Sequence, residues 1–232
     1  MKLTTRVEEV LQNKSIYCYE NGTLINKLGI EDKDELDKME ASLTYLRLCK
    51  LESEDFSFKF DPNYYLSIHK YIFQDIYDFA GEIRSENISK PVTFNFKGEI
   101  RSEQIPFCRP EFVYYCLKDT LEQMKKNARS IKSIDDYINY LSYYYSEINV
   151  IHPFREGNGR TQREYFRQLV EVLNKYLPLP DMCLDYSNIT EDDKFNLMQG
   201  SINSAARNDL TLLKEFFKST LKEKEIKNVK TV

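Results

Sequence analysis

The sequence predicts an all-α fold carrying one short β-hairpin, and three observations predict it. Apolar residues recur at helical spacing along most of the 232 residues. Helix-start signals stand ahead of those stretches, at Asp61-Pro62, Ser133 with Asp136, and Thr190 with Asp193. One segment alone alternates apolar and polar residues as a strand does, at Val92, Phe94 and Phe96.

Taken in order, the first helix is expected between Asp32 and Leu51, with Leu36, Met39, Leu43 and Leu46 as its core face. The second starts at Asp61-Pro62, an N-cap followed by a proline suited to the first turn. It carries Tyr65, Ile68, Ile72, Ile76 and Phe79 and is expected to stop at Gly81. The helical pattern lapses over residues 83–106, and within it the alternating stretch turns at Lys97-Gly98, so the part around Val92 to Arg101 reads as a hairpin; two strands alone make a flap rather than a core.

Helices resume at Pro110, with Phe112, Val113, Cys116, Leu117, Leu121 and Met124 on one face. The helix opened by Ser133 bears Ile134, Ile138, Leu141, Tyr145 and Ile148. Another stripe follows at Tyr165, Phe166, Leu169, Val170, Leu173 and Tyr176, broken by "LPLPDM". Thr190 with Asp193 caps the next helix, and the last is expected from Leu210 to about Lys224. No repeat and no linker divides the chain, so residues 1–232 read as one domain.

The net charge of −4 gives no broad attraction to nucleic acid or to an anionic membrane. No basic–aromatic stripe appears, and no stretch approaches the ~18 apolar residues of a membrane span. Cys18, Cys49, Cys108, Cys116 and Cys183 are odd in number and lack metal-ligand spacing, which fits free thiols in a reducing cytoplasm. The first residues show no signal-peptide apolar region.

The chemistry is concentrated in "HPFREGNGRTQR", His152 to Arg163, which holds one of two histidines and two of seven glycines. Pro153 should end the preceding helix near His152, and a new helix should begin near Gly159 or Arg160. Gly157-Asn158-Gly159 lets the backbone approach a ligand, and the free N–H groups of the new helix make an anion cradle. Arg160 and Arg163 project from one face of its first turn. Two cations at the positive end of a helix dipole are unfavourable unless an anion sits there, and arginine forks match phosphate oxygens. Glu156 suits a divalent ion bound jointly with phosphates, and His152 suits proton transfer near neutral pH. Each part has an ordinary structural reading: a cap, a turn, a solvated arginine. Their joint occurrence in a dozen residues reads as transfer of a phosphorus-containing group from a nucleotide to a hydroxyl.

These residues resemble the signature of the Fic family, H-x-F-x-[DE]-G-N-G-R-x-x-R, at His152, Phe154, Glu156, Gly157, Asn158, Gly159, Arg160 and Arg163. "YENGTLINKLGI", "FDPNYYLSIHKYIFQDIYDFAGEIR" and "ISKPVTF" also look like segments of bacterial Fic proteins. The likeness spans about residues 15–185, leaving helices at about 190–225 less distinctive. It implies a Fic-fold helical bundle with the hairpin as a flap over the active site. It also implies a protein adenylyltransferase, moving AMP from ATP to a Ser, Thr or Tyr hydroxyl of a target protein. On that resemblance His152 is the base, Phe154 a core anchor and Glu156 the holder of magnesium. Gly157, Asn158 and Gly159 form the anion hole, with the Asn158 side chain on phosphate, while Arg160 and Arg163 take the β- and γ-phosphates. Gly159 keeps the AMP-transferring rather than the phosphorylating form. Lys90, Thr93 and Phe94 are the expected flap and nucleotide-side contacts, the target docks along the flap, and His69 is read as structural.

Regulation by a [ST]-x-x-x-E-[GN] helix against Arg163 would follow the family. Thr5…Glu9, Ser187…Glu191, Thr211…Glu215 and Ser219…Glu223 have its spacing, and none completes it. A separate small antitoxin is therefore expected, with a degenerate internal helix as the runner-up. Two other readings stand beside AMP transfer: a nucleotide-binding module with little chemistry, and a Fic transferase with another donor. The expected compartment is the cytoplasm, with delivery into a host cell left open.

Overall fold

The computed structural model describes residues 15–96 and 99–224, the hairpin between residues 92 and 103 largely as backbone. In chain order the elements are α1 (Lys33–Ser53), α2 (Pro62–Phe73), β1 (Ser89–Phe96), β2 (Glu99–Pro106), α3 (Pro110–Asn127) and a 3-10 turn (Ala128–Ser130). Then follow α4 (Ile134–Ile151), α5 (Asn158–Leu173), β3 (Met182–Leu184), α6 (Glu191–Arg207), α7 (Thr211–Thr220) and β4 (Leu221–Glu223). Among the described residues the fold is all-α apart from two small antiparallel pairs, β1–β2 and β3–β4.

Caps formed where their chemistry placed them. Asp61 accepts from the N–H groups of Asn63 and Tyr64 ahead of α2, and Ser133 accepts from Asp136 N ahead of α4. Thr190 and Asp193 form a reciprocal capping box on α6. The core runs from α2 through α3, α4 and α5 to α7. Ile68, Leu117, Leu141, Phe166 and Phe216 are among the apolar residues buried there. Fully burying side chains of this kind contributes about 1.5–3 kcal/mol each.

Several expectations are corrected. Helix α1 turns Leu36, Glu40 and Thr44 inward, while Met39 and Leu46 are exposed, so its buried stripe is mainly polar. Helix α2 stops at Phe73 rather than near Gly81. Successive turns, Ile76 N to Phe73 O and Ala80 N to Tyr77 O, keep Ile76 buried, which imitates a continuing helix in the sequence. Phe112 and Cys116 on α3, Ile134 on α4, and Tyr176 beyond α5 face solvent. The last helix ends at Thr220, because the chain leaves it as β4 to pair with β3, a sheet too short for periodicity to reveal. The hairpin is present with Val92 opposite Glu103 and Phe94 opposite Arg101; its turn at Lys97-Gly98 and the Thr5…Glu9 pair lie outside the described residues.

Candidate active site

The segment from His152 to Arg163 joins α4 to α5. Helix α4 ends as Pro153 requires, with His152 as its C-cap in the left-handed conformation, φ 48° and ψ 65°. Such a dihedral is uncommon outside glycine and asparagine, and persists where surroundings over-determine it. The ring of His152 stacks on Phe107, with centroids 3.8 Å apart and planes 11° apart. Its Nδ1 lies 3.2 Å from the carbonyl oxygen of Asn149. A carbonyl only accepts, so Nδ1 carries the proton and Nε2 presents a lone pair. Burial lowers the imidazole pKa to about 4, with Arg84 and Lys90 adding to the effect against the Asn149 bond. At neutral pH His152 is therefore uncharged.

The following residues form a closed loop around Phe154, which is fully buried. Phe154 N donates to Asn158 Oδ1 at 2.9 Å, and Asn158 Nδ2 donates to Phe154 O at 2.8 Å. The Asn158 side chain thus closes the loop on itself instead of reaching toward a phosphate. His69 supports the same loop from α2. Its ring stacks on Phe154 at 3.7 Å, its Nδ1 accepts from Gly81 N at 2.8 Å, and its Nε2 donates to Glu156 O at 3.0 Å. Burial pushes the His69 pKa down to about 3, keeping the ring neutral. The structural reading of His69 stands, and its object is the backbone of Glu156.

Gly157 caps α5 at φ 80°, where a Cβ would come within 2.3 Å of the Phe73 ring. Both the dihedral and the space require glycine there. Its N–H donates to Glu156 Oε1 at 2.8 Å, so of the three expected cradle amides it is already held, whereas no side chain caps the first turn of α5. A Cβ on Gly159 would meet only the Arg163 guanidinium, at 3.3 Å.

The two arginines differ. Arg160 lies over the Phe73 ring, centroid distance 4.8 Å, and reaches Thr44 Oγ1 at 3.2 Å and Glu156 Oε1 at 3.5 Å. It also forms an ion pair with Glu40, whose other oxygen accepts from the Tyr77 hydroxyl. Beside Glu156, a second anion that offsets this cation comes from α1, which no local reading of residues 152–163 supplies. Arg163, half-buried beside Tyr145, makes no ion pair among the described residues. Glu191 and Glu215 pair with Lys194 and Lys218 instead, and Glu223 lies exposed in β4.

Three large cavities among the described residues take in side chains of this segment. One, of about 640 Å³, is walled by His152, Gly159 and Arg163 together with Asn149, Leu197 and Met198. A second, of about 740 Å³, shares His152 and Lys90 with the first and takes in Glu86, Phe107 and Arg155. A third, of about 690 Å³, continues past Arg163 and Arg160 to Tyr45 and Glu52. Of the expected flap contacts, Lys90 stands at the hairpin root in the walls of the first two. Thr93 and Phe94 lie further along β1, opposite Ser102 and Arg101. Glu156 is half-exposed, and its Oε2 accepts no hydrogen bond among the described residues, which suits one carboxylate sharing a magnesium ion with phosphate oxygens and water. No cluster of three or more His, Cys, Asp or Glu among the described residues offers an all-protein metal site.

Residues 59–170 match the model of the Fic/DOC family. The protein adenylyltransferase VbhT of Bartonella schoenbuchensis is 33% identical over 152 residues, 65% of this chain and 29% of that protein. The probable protein adenylyltransferase Fic of Escherichia coli is 28% identical over 145 residues, 62% of this chain and 66% of that protein. The crystal structure of the BepC protein of Bartonella tribocorum, with bound AMPPNP, is similar in fold, with a TM-score of 0.73 at 21% identity. It covers 90% of this chain and 97% of that one. The chain therefore spans under a third of VbhT. No helix among the described residues is long and apolar enough to cross a membrane.

Proposed function

The chain carries a Fic/DOC family domain, and on that premise we propose that it is a protein adenylyltransferase, moving AMP from ATP to a side-chain hydroxyl of a target protein. The observation that carries this reading is the place of His152. It is a neutral histidine, with its free lone pair on Nε2, in the shared wall of two cavities.

ATP occupies the cavity of His152, Gly159 and Arg163, with the base and ribose toward Leu197 and Met198. The phosphates run over the start of α5, where uncapped N–H groups and the helix dipole favour negative charge. Arg163 takes the outer phosphates, and Arg160 joins it from its ion pair with Glu40. Glu156 would hold a magnesium ion, which would supply neutralisation of the polyphosphate charge. The acceptor hydroxyl enters from the cavity of Glu86, Lys90 and Arg155, and His152 Nε2 takes its proton. The hydroxyl oxygen bonds to the α-phosphorus, the bond from that phosphorus to the bridging oxygen breaks, and pyrophosphate leaves.

The target segment pairs with the free edge of the hairpin, an added strand in a two-stranded sheet. Inhibition comes from a separate antitoxin chain, since none of Thr5…Glu9, Ser187…Glu191, Thr211…Glu215 and Ser219…Glu223 completes the inhibitory pattern. The test uses ATP labelled at the α- or the γ-phosphate, with magnesium and cell lysate. Label should reach protein from the α-position only, and His152→Ala should lower that transfer at least about a hundredfold while ATP binding persists. Label arriving from the γ-position would overturn the reading.

A further inference from the structure

We propose that Arg84 is the positioning residue of His152: its buried guanidinium gathers the carbonyl oxygens at the end of α4 and holds the left-handed turn that sets the imidazole between the two cavities. This rests on the reading of His152 as the base.

Arg84 is an unusual cation. It is 1% exposed, and among the described residues its contacts are with backbone carbonyls rather than carboxylates. Burying a charge without a counter-charge is costly, and burial does lower the Arg84 pKa from its ordinary value. The residue is therefore retained for what its planar fork of donors reaches. Nε donates to His152 O at 2.8 Å, and Nη1 donates to Glu86 O at 2.6 Å. Nη2 donates to Cys108 O and lies 3.5 Å from Ile151 O. The main-chain N–H of Arg84 donates to Pro153 O at 3.0 Å. Three successive carbonyls, those of Ile151, His152 and Pro153, thus face one residue. The first is an orphan acceptor of the last turn of α4 and the other two follow its end, where a cation is also favoured by the helix dipole.

The left-handed His152 makes this clamp informative. Among the described residues only His152 and Asn208 take positive φ without being glycine, and asparagine tolerates that region. Histidine needs an external hold, and Arg84 supplies it on both sides of the strained residue. The same guanidinium ties in the root of the hairpin. Cys108, whose oxygen it binds, donates its N–H to Val150 O at 3.1 Å, and the neighbouring Phe107 is the platform on which the His152 ring lies. Arg84 therefore fixes both the backbone of His152 and the surface its ring rests on, without touching either the nucleotide cavity or the acceptor cavity.

The experiment compares the full chain with Arg84→Met and Arg84→Lys. The chain has two histidines, so the imidazole resonances are few enough to follow individually by NMR. The His152 signals, displaced by the Phe107 ring current, should move in both variants, while those of His69 stay in place as a report that the loop around Phe154 is intact. The kcat for AMP transfer should fall by about a hundredfold in Arg84→Met with the KM for ATP unchanged, and less in Arg84→Lys, which keeps the charge and loses the fork. Should Arg84→Met fail to fold, Arg84→Lys carries the same two readouts. A His152 signal unmoved in a folded variant, or His69 moving as much as His152, overturns the assignment. The resonance measurement needs no turnover, so it decides the role of Arg84 even if the parent chain transfers no AMP.

Discussion

The segment from His152 to Arg163 and the hairpin from Ser89 to Pro106 meet at His152, and they are held in opposite ways. The segment closes on itself through Asn158 and is held from outside as well. Arg84 binds the carbonyl of His152, His69 binds the carbonyl of Glu156, and Phe73 leaves room only for a glycine at 157. The hairpin is held by its own ladder, from Ser89 opposite Pro106 to Phe96 opposite Glu99, and among the described residues its strands pair with no third strand. Geometry accurate enough for chemistry comes from contacts gathered across the chain. A surface that adds a partner strand needs an edge left unpaired. The contrast yields tests, from those that should break the segment to those that should touch the hairpin alone.

The largest effect is expected at Gly157. Alanine there meets φ 80° and a ring 2.3 Å from its Cβ, so Phe73 must move, and with it the stack on His69 and the seat of Arg160. Gly157→Ala should cost about 2–3 kcal/mol of stability and remove AMP transfer. Urea unfolding beside a transfer assay checks it. A stable, active variant would mean that the loop is far more compliant than its contacts indicate.

Next comes the ion pair that the sequence did not reveal. Glu40→Gln removes the carboxylate that offsets Arg160 and weakens its hold. The free protein should lose about 2 kcal/mol, and ATP should then bind more tightly, because the start of α5 is left more positive. Thermal unfolding with and without ATP separates the two effects: a larger ATP-induced rise than in the parent is expected. An equal or smaller rise would show that Glu40 aids phosphate binding instead of competing with it.

Acid offers a milder test. Both histidines are held neutral by burial, His152 at about 4 and His69 at about 3, below the ordinary imidazole value of about 6.5. Between those values the unfolded chain binds more protons than the folded one. Stability should therefore be intact above about pH 6.5 and decline as pH falls toward 3. Unfolding midpoints at about pH 7.5 and about pH 5.5 bracket the imidazole range with little carboxylate titration. Equal midpoints would contradict two neutral buried rings.

These tests also mark what could be read from the chain alone. The turn after α4 and the need for glycine beside it were legible because their causes are local: Pro153 and Gly157 lie within a few residues, although α5, expected from near Gly159 or Arg160, begins at Asn158 with Gly157 as its cap. The same holds for the capped helices. Glu40, His69 and Arg84 were not legible as parts of the site. Each acts on a residue far away in sequence, from Glu40 to Arg160 and from His69 to Glu156, and no periodicity encodes such a pairing. For α1 the local signal misled. Met39 and Leu46 have core chemistry, yet the buried face follows Glu40 and Thr44, because what lies beneath it is the arginine of α5.

The smallest effect on the protein itself should come from the hairpin. Thr93 stands in the middle of β1, opposite Ser102. Proline there removes one backbone N–H, either from the internal ladder or from the outer edge. Thr93→Ala leaves the backbone donors in place. If the target docks as an added strand, Thr93→Pro should lower labelling of the target protein by about tenfold with ATP affinity unchanged, and Thr93→Ala should label as the parent does. Equal loss in both variants would assign the effect to the threonine side chain. Equal labelling in both would move target recognition away from this edge, leaving the cavity of Glu86, Lys90 and Arg155 to select the hydroxyl by itself.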